Sequence, residues 1–151
     1  MNKIILGADH GGFELKEKIK EFLKKKKKEF EDAGTLGGDN TDDYPDYAFK
    51  VAEKVRRIKN SKGILICGTG TGMVIAANKV HGIRAAMVYD NYSAEMARKD
   101  NNVNILCLRG RKFSSRKAKK VVKIWLETEF SNAERHKRRL KKIEDYEYKR
   151  K

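Results

Sequence analysis

The chain has 151 residues, enough for one domain with its own hydrophobic core. No stretch approaches the roughly 20 apolar residues of a membrane span, and the apolar run in MNKIILGADHGG is too short for a secretory signal, so one cytoplasmic domain over 1–151 is expected. The two cysteines lie in or beside apolar strand-like runs, which argues against a disulfide framework, and they lack metal-ligand spacing.

The net charge of +15 comes from 36 Lys and Arg against 21 Asp and Glu. Such an excess raises nucleic acid as a partner. Most of it sits in Lys24–Lys28, at the end of a helical pattern, and in the stretch from Arg135 to Lys151. Lysine complements the carbonyl end of a helix. A solvated surface is therefore the preferred reading, with a small anionic ligand next and nucleic acid last.

In chain order, Lys3 to Ala8 reads as a strand and leads into Asp9-His10-Gly11-Gly12. Phe13 to Lys25 follows, with Leu15, Ile19, Phe22 and Leu23 on one helical face. Glu29 to Asp32 is a weak second strand, and Gly34 to Asp43 a polar loop. Pro45 is tolerated in a first helical turn, and Tyr47 to Ile58 carries Ala48, Val51, Ala52 and Val55 at helical spacing. Gly63 to Cys67 is a continuous apolar strand, read as buried on both faces. A glycine loop leads to a short helix at Met73–Lys79, then strand four at Ile83–Tyr89 and a helix at Tyr92–Lys99. Val103 to Leu108 is strand five, Ser114 to Phe130 a long helix, and a basic helical tail occupies about 131–151. Strands alternating with helices predict a parallel sheet covered on both faces, a three-layer α/β/α doubly wound arrangement with five strands. The order 2-1-3-4-5 is a common one for such a unit. It would bring ADHGG and CGTGTG to one crevice, where the chain reverses between strands one and three.

The stretch GILICGTGTGM at 63–73 fits neither common nucleotide fingerprint. Its glycines serve tight strand-to-helix packing as readily as function. Bare N–H groups at a helix start also cradle an oxyanion or phosphate. Cys67 sits at the lip of that loop, in a field that favours its thiolate and suits it as base or nucleophile. Cys107, inside NILCL, reads as inert core. Asp9 is either a cap before a helix or a site residue. His10 has no apolar face to fill and suits an anion. Arg111 is isolated, whereas Arg135 and Arg139 share one helix face at i, i+4, and guanidinium groups grip phosphate by forked hydrogen bonds.

Several ordered segments together resemble the type B ribose-5-phosphate isomerases, a group that includes galactose-6-phosphate and allose-6-phosphate isomerases. They are ADHGGFELK at 8–16, DYPDYA at 43–48, GILICGTGTGM at 63–73, IAANKVHGIRAA at 75–86, NNVNIL at 101–106 and RHKRRLKKI at 135–143. The resemblance implies a Rossmann-like fold, interconversion of ribose 5-phosphate and ribulose 5-phosphate, and no metal or organic cofactor. It implies Cys67 as the base and the amides of Gly68, Thr69, Gly70, Thr71 and Gly72 as holders of an enediolate, with a hydroxyl contact from Thr69. It implies His10, Arg111, Arg135 and Arg139 as phosphate or substrate ligands, Asp9 as a sugar-hydroxyl contact, and Asn101 near the enediolate oxygens. It also implies a homodimer or homotetramer with sites completed at the subunit interface.

Two positions depart from the family pattern. Asp100 stands where a ring-opening histidine is usual, so Asp100 itself, Asp9 or His136 is expected to take over that proton. Ala133-Glu134 replaces a common glycine pair ahead of the arginines. A six-carbon phosphosugar isomerase and a non-catalytic basic binding protein are the competing readings.

Overall fold

The computed structural model describes residues 3–149. Eleven elements alternate along the chain: β1 (Ile4–Ala8), α1 (Phe13–Lys25), β2 (Phe30–Asp32), α2 (Tyr44–Arg57), β3 (Lys62–Cys67), α3 (Thr71–Ala77), β4 (Ala85–Met87), α4 (Asn91–Lys99), β5 (Ile105–Arg109), α5 (Ser115–Glu127) and α6 (Glu134–Lys149). The five strands form one parallel sheet. One apolar layer packs α1, α4 and α5 on one face, around the fully buried Trp125, and the other packs α2 and α3 on the opposite face. Burying each large apolar side chain of this kind is worth roughly 1.5–3 kcal/mol. Among the described residues no helix is long and apolar enough to cross a membrane. Residues 150 and 151 of the expected basic tail lie outside the described residues, as do 1 and 2.

The strand order is β2-β1-β3-β5-β4, not 2-1-3-4-5. Strand composition explains the exchange. In β5 the run from Ile105 to Leu108 is buried throughout, as a central strand must be, whereas β4 is short and half-buried. Its outer edge is closed by a side chain: the Asn78 amide donates to Ala85 O at 2.9 Å and accepts from Ala85 N at 2.8 Å. Arg84 N–H is diverted to the Asn104 side chain at 2.7 Å, so β4 begins later than Ile83. Blunted edges of this sort protect a sheet from further pairing. The reversal between β1 and β3 survives the exchange, because both strands stay adjacent.

Helix ends also differ for local reasons. Pro45 lies in the first turn of α2, which starts at Tyr44 rather than Tyr47. Helix α5 stops at Glu127, before Phe130, where the Thr128 hydroxyl donates to Ile124 O at 2.7 Å. Lys16 is fully buried on α1 although its charge suggests a wet face. Its ammonium donates to Asp32 Oδ1 at 2.6 Å and to Thr35 O at 2.7 Å, tying α1 to β2 and to the loop beyond it.

Candidate active site

Three strand ends converge at the carboxyl edge of the sheet. Ala8 of β1 stands beside Ile66 of β3, and Cys67 beside Arg109 of β5. The next residues of each strand therefore meet: Asp9–Gly12, Gly68–Gly72 and Gly110-Arg111. Gly110 N–H donates to Cys67 O at 2.7 Å, and Arg111 N–H to Gly68 O at 3.3 Å. Gly12 makes the closest approach. A methyl group there would stand 2.5 Å from the Ile66 carbonyl carbon, and closer still to its oxygen. The two unusual stretches of the sequence thus share one crevice.

Cys67 ends β3 with 4% of its surface exposed. Its Sγ accepts a hydrogen bond from Gly70 N–H at 3.1 Å. Gly70 holds φ at 82°, a left-handed conformation that costs glycine little, and α3 starts at the next residue. Thr69 and Thr71 are exposed at the mouth of the loop, and Thr69 Oγ1 accepts from Thr71 N–H at 3.4 Å. Gly68 lies under the Arg111 guanidinium, which is 3.0 Å from where a Cβ would stand, and a Cβ at Gly72 would be closer still to the Tyr44 ring. Every residue of the loop from Gly68 to Gly72 is therefore at the crevice. Cys107 differs: burial, reinforced by Cys67, pushes its thiol far up, and it is fully buried, as an inert core residue should be.

Asp9 and His10 leave β1 at the same crevice. Asp9 is 7% exposed, and its Oδ1 accepts from Gly11 N–H at 2.9 Å. It therefore shapes the turn, whereas α1 is capped by Gly12 without a side-chain bond. Burial pushes the Asp9 carboxyl up, opposed by the His10 charge. His10 is exposed, and Asp42 Oδ1 stands 2.5 Å from its Nδ1 and 3.0 Å from its backbone N–H. The hydrogen bond to Asp42 raises the His10 pKa; burial and Arg111 oppose the shift, while the charges of Asp9 and Asp42 add to it. Burial works to raise the Asp42 carboxyl, yet the bonds from His10 and Tyr47 win and hold it below the usual range. Asp42 and Tyr47 were not singled out from the sequence. The signal for Asp42 is faint, one acid among several in a polar loop. Asp9, His10 and Asp42 bring ligand atoms within 4.8 Å of one another. The bond between His10 and Asp42 already uses two of those atoms, which makes them an oriented imidazole–carboxylate pair.

The remaining expected residues lie elsewhere. Helices return a parallel chain to the amino ends of its strands, so Asp100 and Asn101, at the end of α4, are far from Cys67. Arg98 of α4 lines the same cleft as Lys62, the first residue of β3. The length of β3 from Lys62 to Cys67 is about 17 Å at 3.3 Å per residue. Ser131 N–H donates to Lys99 O at 3.1 Å, which brings the start of α6 to the same end. There His136 is 5% exposed, with Nδ1 2.7 Å from Ser131 Oγ and Nε2 3.5 Å from Asp100 Oδ1. Arg135 and Arg139 are exposed one turn apart on α6. One chain therefore carries two groups of expected residues: Asp9, His10, Cys67–Gly72 and Arg111 at one end of the sheet, and Asp100, Asn101, Arg135 and Arg139 at the other.

Comparison with known proteins matches residues 4–143 to the ribose/galactose isomerase family. Ribose-5-phosphate isomerase B of Mycobacterium tuberculosis is 39% identical over 145 residues, covering 96% of this chain and 90% of the relative. D-erythrulose-4-phosphate isomerase of Pectobacterium atrosepticum is 41% identical over 130 residues, covering 86% of each. The crystal structure of ribose-5-phosphate isomerase B from Mycoplasma genitalium with bound ribulose 5-phosphate superposes with a TM-score of 0.92 at 43% identity, over 97% of this chain and 96% of that one. The shared sheet, the glycine loop and this agreement along almost the whole chain place the protein in the ribose/galactose isomerase family.

Proposed function

We propose that the protein interconverts ribose 5-phosphate and ribulose 5-phosphate through an enediolate, with Cys67 as the base. The observation that carries this reading is the Gly70 N–H bond to Cys67 Sγ at 3.1 Å. It sets a thiolate-stabilising donor at the mouth of a loop rich in further amides. The thiolate takes the proton from C2 of the open-chain aldose and the electron pair moves to form the enediolate with charge on O1; the hydroxyl proton passes from O2 to O1, and the Cys67 thiol returns its proton at C1. Preorganised amides of Gly68–Gly72 stabilise the charge that appears during that step. Thr69 adds a hydroxyl, Asp9 holds a sugar hydroxyl, and His10, its pKa raised by Asp42, faces the anionic end of the substrate with Arg111.

The other half of the site comes from a second copy. Asn101, Arg135 and Arg139 are one sheet-length from Cys67 in their own chain, so a partner chain supplies them. A homodimer is the smallest assembly that does so with closed symmetry. Leu36, Ile75, Tyr92 and Ile143 leave apolar surface for such contacts. In this arrangement Asp100 and His136 open the sugar ring together. The carboxylate accepts the ring hydroxyl proton, and the imidazole returns a proton to the ring oxygen. The four-carbon substrate named for the Pectobacterium relative is the second reading, carried by its 41% identity.

The test is conversion of ribose 5-phosphate in D2O under single-turnover conditions, with erythrulose 4-phosphate run in parallel. The protein is expected to incorporate solvent deuterium at C1 or C2 of the pentose, and Cys67→Ala is expected to lose about 10²- to 10⁴-fold in rate. Undiminished turnover in Cys67→Ala would remove the cysteine from the chemistry. Preference for the four-carbon substrate would move the assignment to the second reading.

A further inference from the structure

A basic cleft lies at the amino end of the sheet, away from Cys67. It measures about 490 Å³ and is lined by Lys62, Arg84, Arg98, Asn102, Asn104 and Glu129 among others. Neither Asp100 nor Asn101 lines it, nor does any residue around Cys67. Lys62 is 8% and Arg98 7% exposed. Buried cations are ordinarily paired with an acid. Here they are not: among the described residues no ion pair reaches Lys62, Arg84 or Arg98.

Their hydrogen bonds go to neutral acceptors. Arg98 donates to Val103 O at 2.6 Å, Asn102 Oδ1 at 2.9 Å and Thr128 O at 3.3 Å. Arg84 Nε donates to Asn102 O at 2.9 Å. Lys62 has a single long bond, 3.4 Å to Leu126 O, and otherwise lies 5.6 Å from the centre of the Trp125 ring. Two of its three N–H donors therefore have no protein acceptor. Carbonyls orient these cations, and acids act on them only from beyond ion-pair distance: Glu129 on Lys62 and Arg98, Glu144 and Glu147 on Arg84. Glu129, exposed at the rim, is the one acid of the lining.

From this cleft and its three cations, none of them in an ion pair among the described residues, we infer a second anion-binding site, distinct from the sugar-phosphate site, that takes a small phosphate-class oxyanion. The volume suits a ligand from inorganic phosphate up to a small phosphate monoester, and excludes a folded polymer. A dianion answers the charge of Lys62, Arg84 and Arg98 better than a monocarboxylate does. Its oxygens also match the free donors of Lys62 and the side-chain amide of Asn102.

Burial, reinforced by Arg98, pushes Lys62 down to about 8. Glu129 opposes that shift and Lys28 adds to it. Burial lowers Arg84 as well, opposed by Glu144 and Glu147. Phosphate held here is expected to weaken as pH rises through 8, where Lys62 gives up its proton.

Trp125 is the only tryptophan in the chain and sits against Lys62, so it reports on this cleft and not on the loop at Cys67. The experiment is a titration of the native protein with inorganic phosphate, chloride holding the ionic strength, read by indole fluorescence at pH 7 and pH 9. A saturable change is expected, weaker at pH 9. It should shift its midpoint at least about 10-fold in Lys62→Met and persist in Arg139→Ala, which removes only a sugar-phosphate ligand. A midpoint unchanged in Lys62→Met, or a response abolished by Arg139→Ala, overturns the inference. Should Lys62→Met fail to fold, the native protein decides by NMR. Phosphate must then move the Trp125 indole and Asn102 side-chain resonances together, and their failure to move also overturns it.

Discussion

Gly12→Ala tests how tightly the strand ends hold Cys67. The added methyl would meet the Ile66 carbonyl carbon at 2.5 Å. A relaxed carbon–carbon contact needs about 3.5 Å, so the backbone has to open by about 1 Å. Ile66 cannot yield into empty space, because it is fully buried within β3 between β1 and β5. The strain is therefore relieved by moving the peptide that carries Cys67, or by lifting Asp9–Gly12 off it. Overpacking of this size costs about 1–3 kcal/mol of stability. A 1 Å misplacement of a reacting group costs about 10²-fold in rate. The expected result is a folded protein with Tm lowered by several degrees and kcat for ribose 5-phosphate reduced about 10²-fold. Circular dichroism and steady-state kinetics measure both. If Gly12→Ala kept native kcat and native Tm, the contact between the β1 and β3 loops would not position Cys67.

Asp42→Asn removes the hydrogen bond and charge that raise the His10 pKa. The alkaline limb of the KM profile for a phosphorylated substrate is expected to move to lower pH, with NMR titration of His10 confirming the cause. The sign for stability follows. The raised His10 stabilises below its unfolded pKa of about 6.5 and loses that contribution as pH rises through its folded value; the depressed Asp42 contributes above about 3.9 and loses it as pH falls. The native pair thus supports the fold most between those limits, and the variant should show a flatter profile of Tm against pH there. Asp100→Asn is expected to slow turnover of cyclic ribose 5-phosphate by about 10²-fold and leave an open-chain substrate unaffected, with Asp100→His recovering the rate; equal effects on both substrates would remove Asp100 from ring opening. Mixing Cys67→Ala with Asn101→Ala protein, each inactive alone, should restore up to about a quarter of native activity, since half the dimers then hold one intact site. A mixture as inactive as its parts would show that one chain supplies the whole site.

The sequence showed the alternation of elements and the two loops because each rests on local chemistry. The run GILIC reads as a strand buried on both faces, and the glycines of GTGTG read as a loop before a helix. The exchange of β4 and β5 was hidden because order in a sheet is set by relative burial. Both strands are apolar, and it is the burial of β5 and the capture of Ala85 by Asn78 that show β4 to be the edge. The burial of Lys16 has no mark in the sequence either: Asp32 and Thr35 O, which receive its ammonium, come from a later segment that no periodicity records. Asp42 escaped because its meaning lies in His10, 32 residues away. The separation of Asp100 and Asn101 from Cys67 follows from the direction in which α4 runs. Motif spacing along the chain does not encode it.

The bond from Gly70 N–H to Cys67 Sγ bears on how charge is shared over the proposed reaction. Before proton transfer the negative charge resides on sulfur, and afterwards on the sugar oxygen, while the loop dipoles stay fixed. The thiolate and the enediolate are successive occupants of one electrostatic well, so the loop never has to hold two anions together. An uncharged substrate carbonyl gains little from such a well, and a stable anion placed in it excludes the thiolate. A stable anionic mimic of the enediolate is therefore expected to bind more tightly than the open-chain sugar itself.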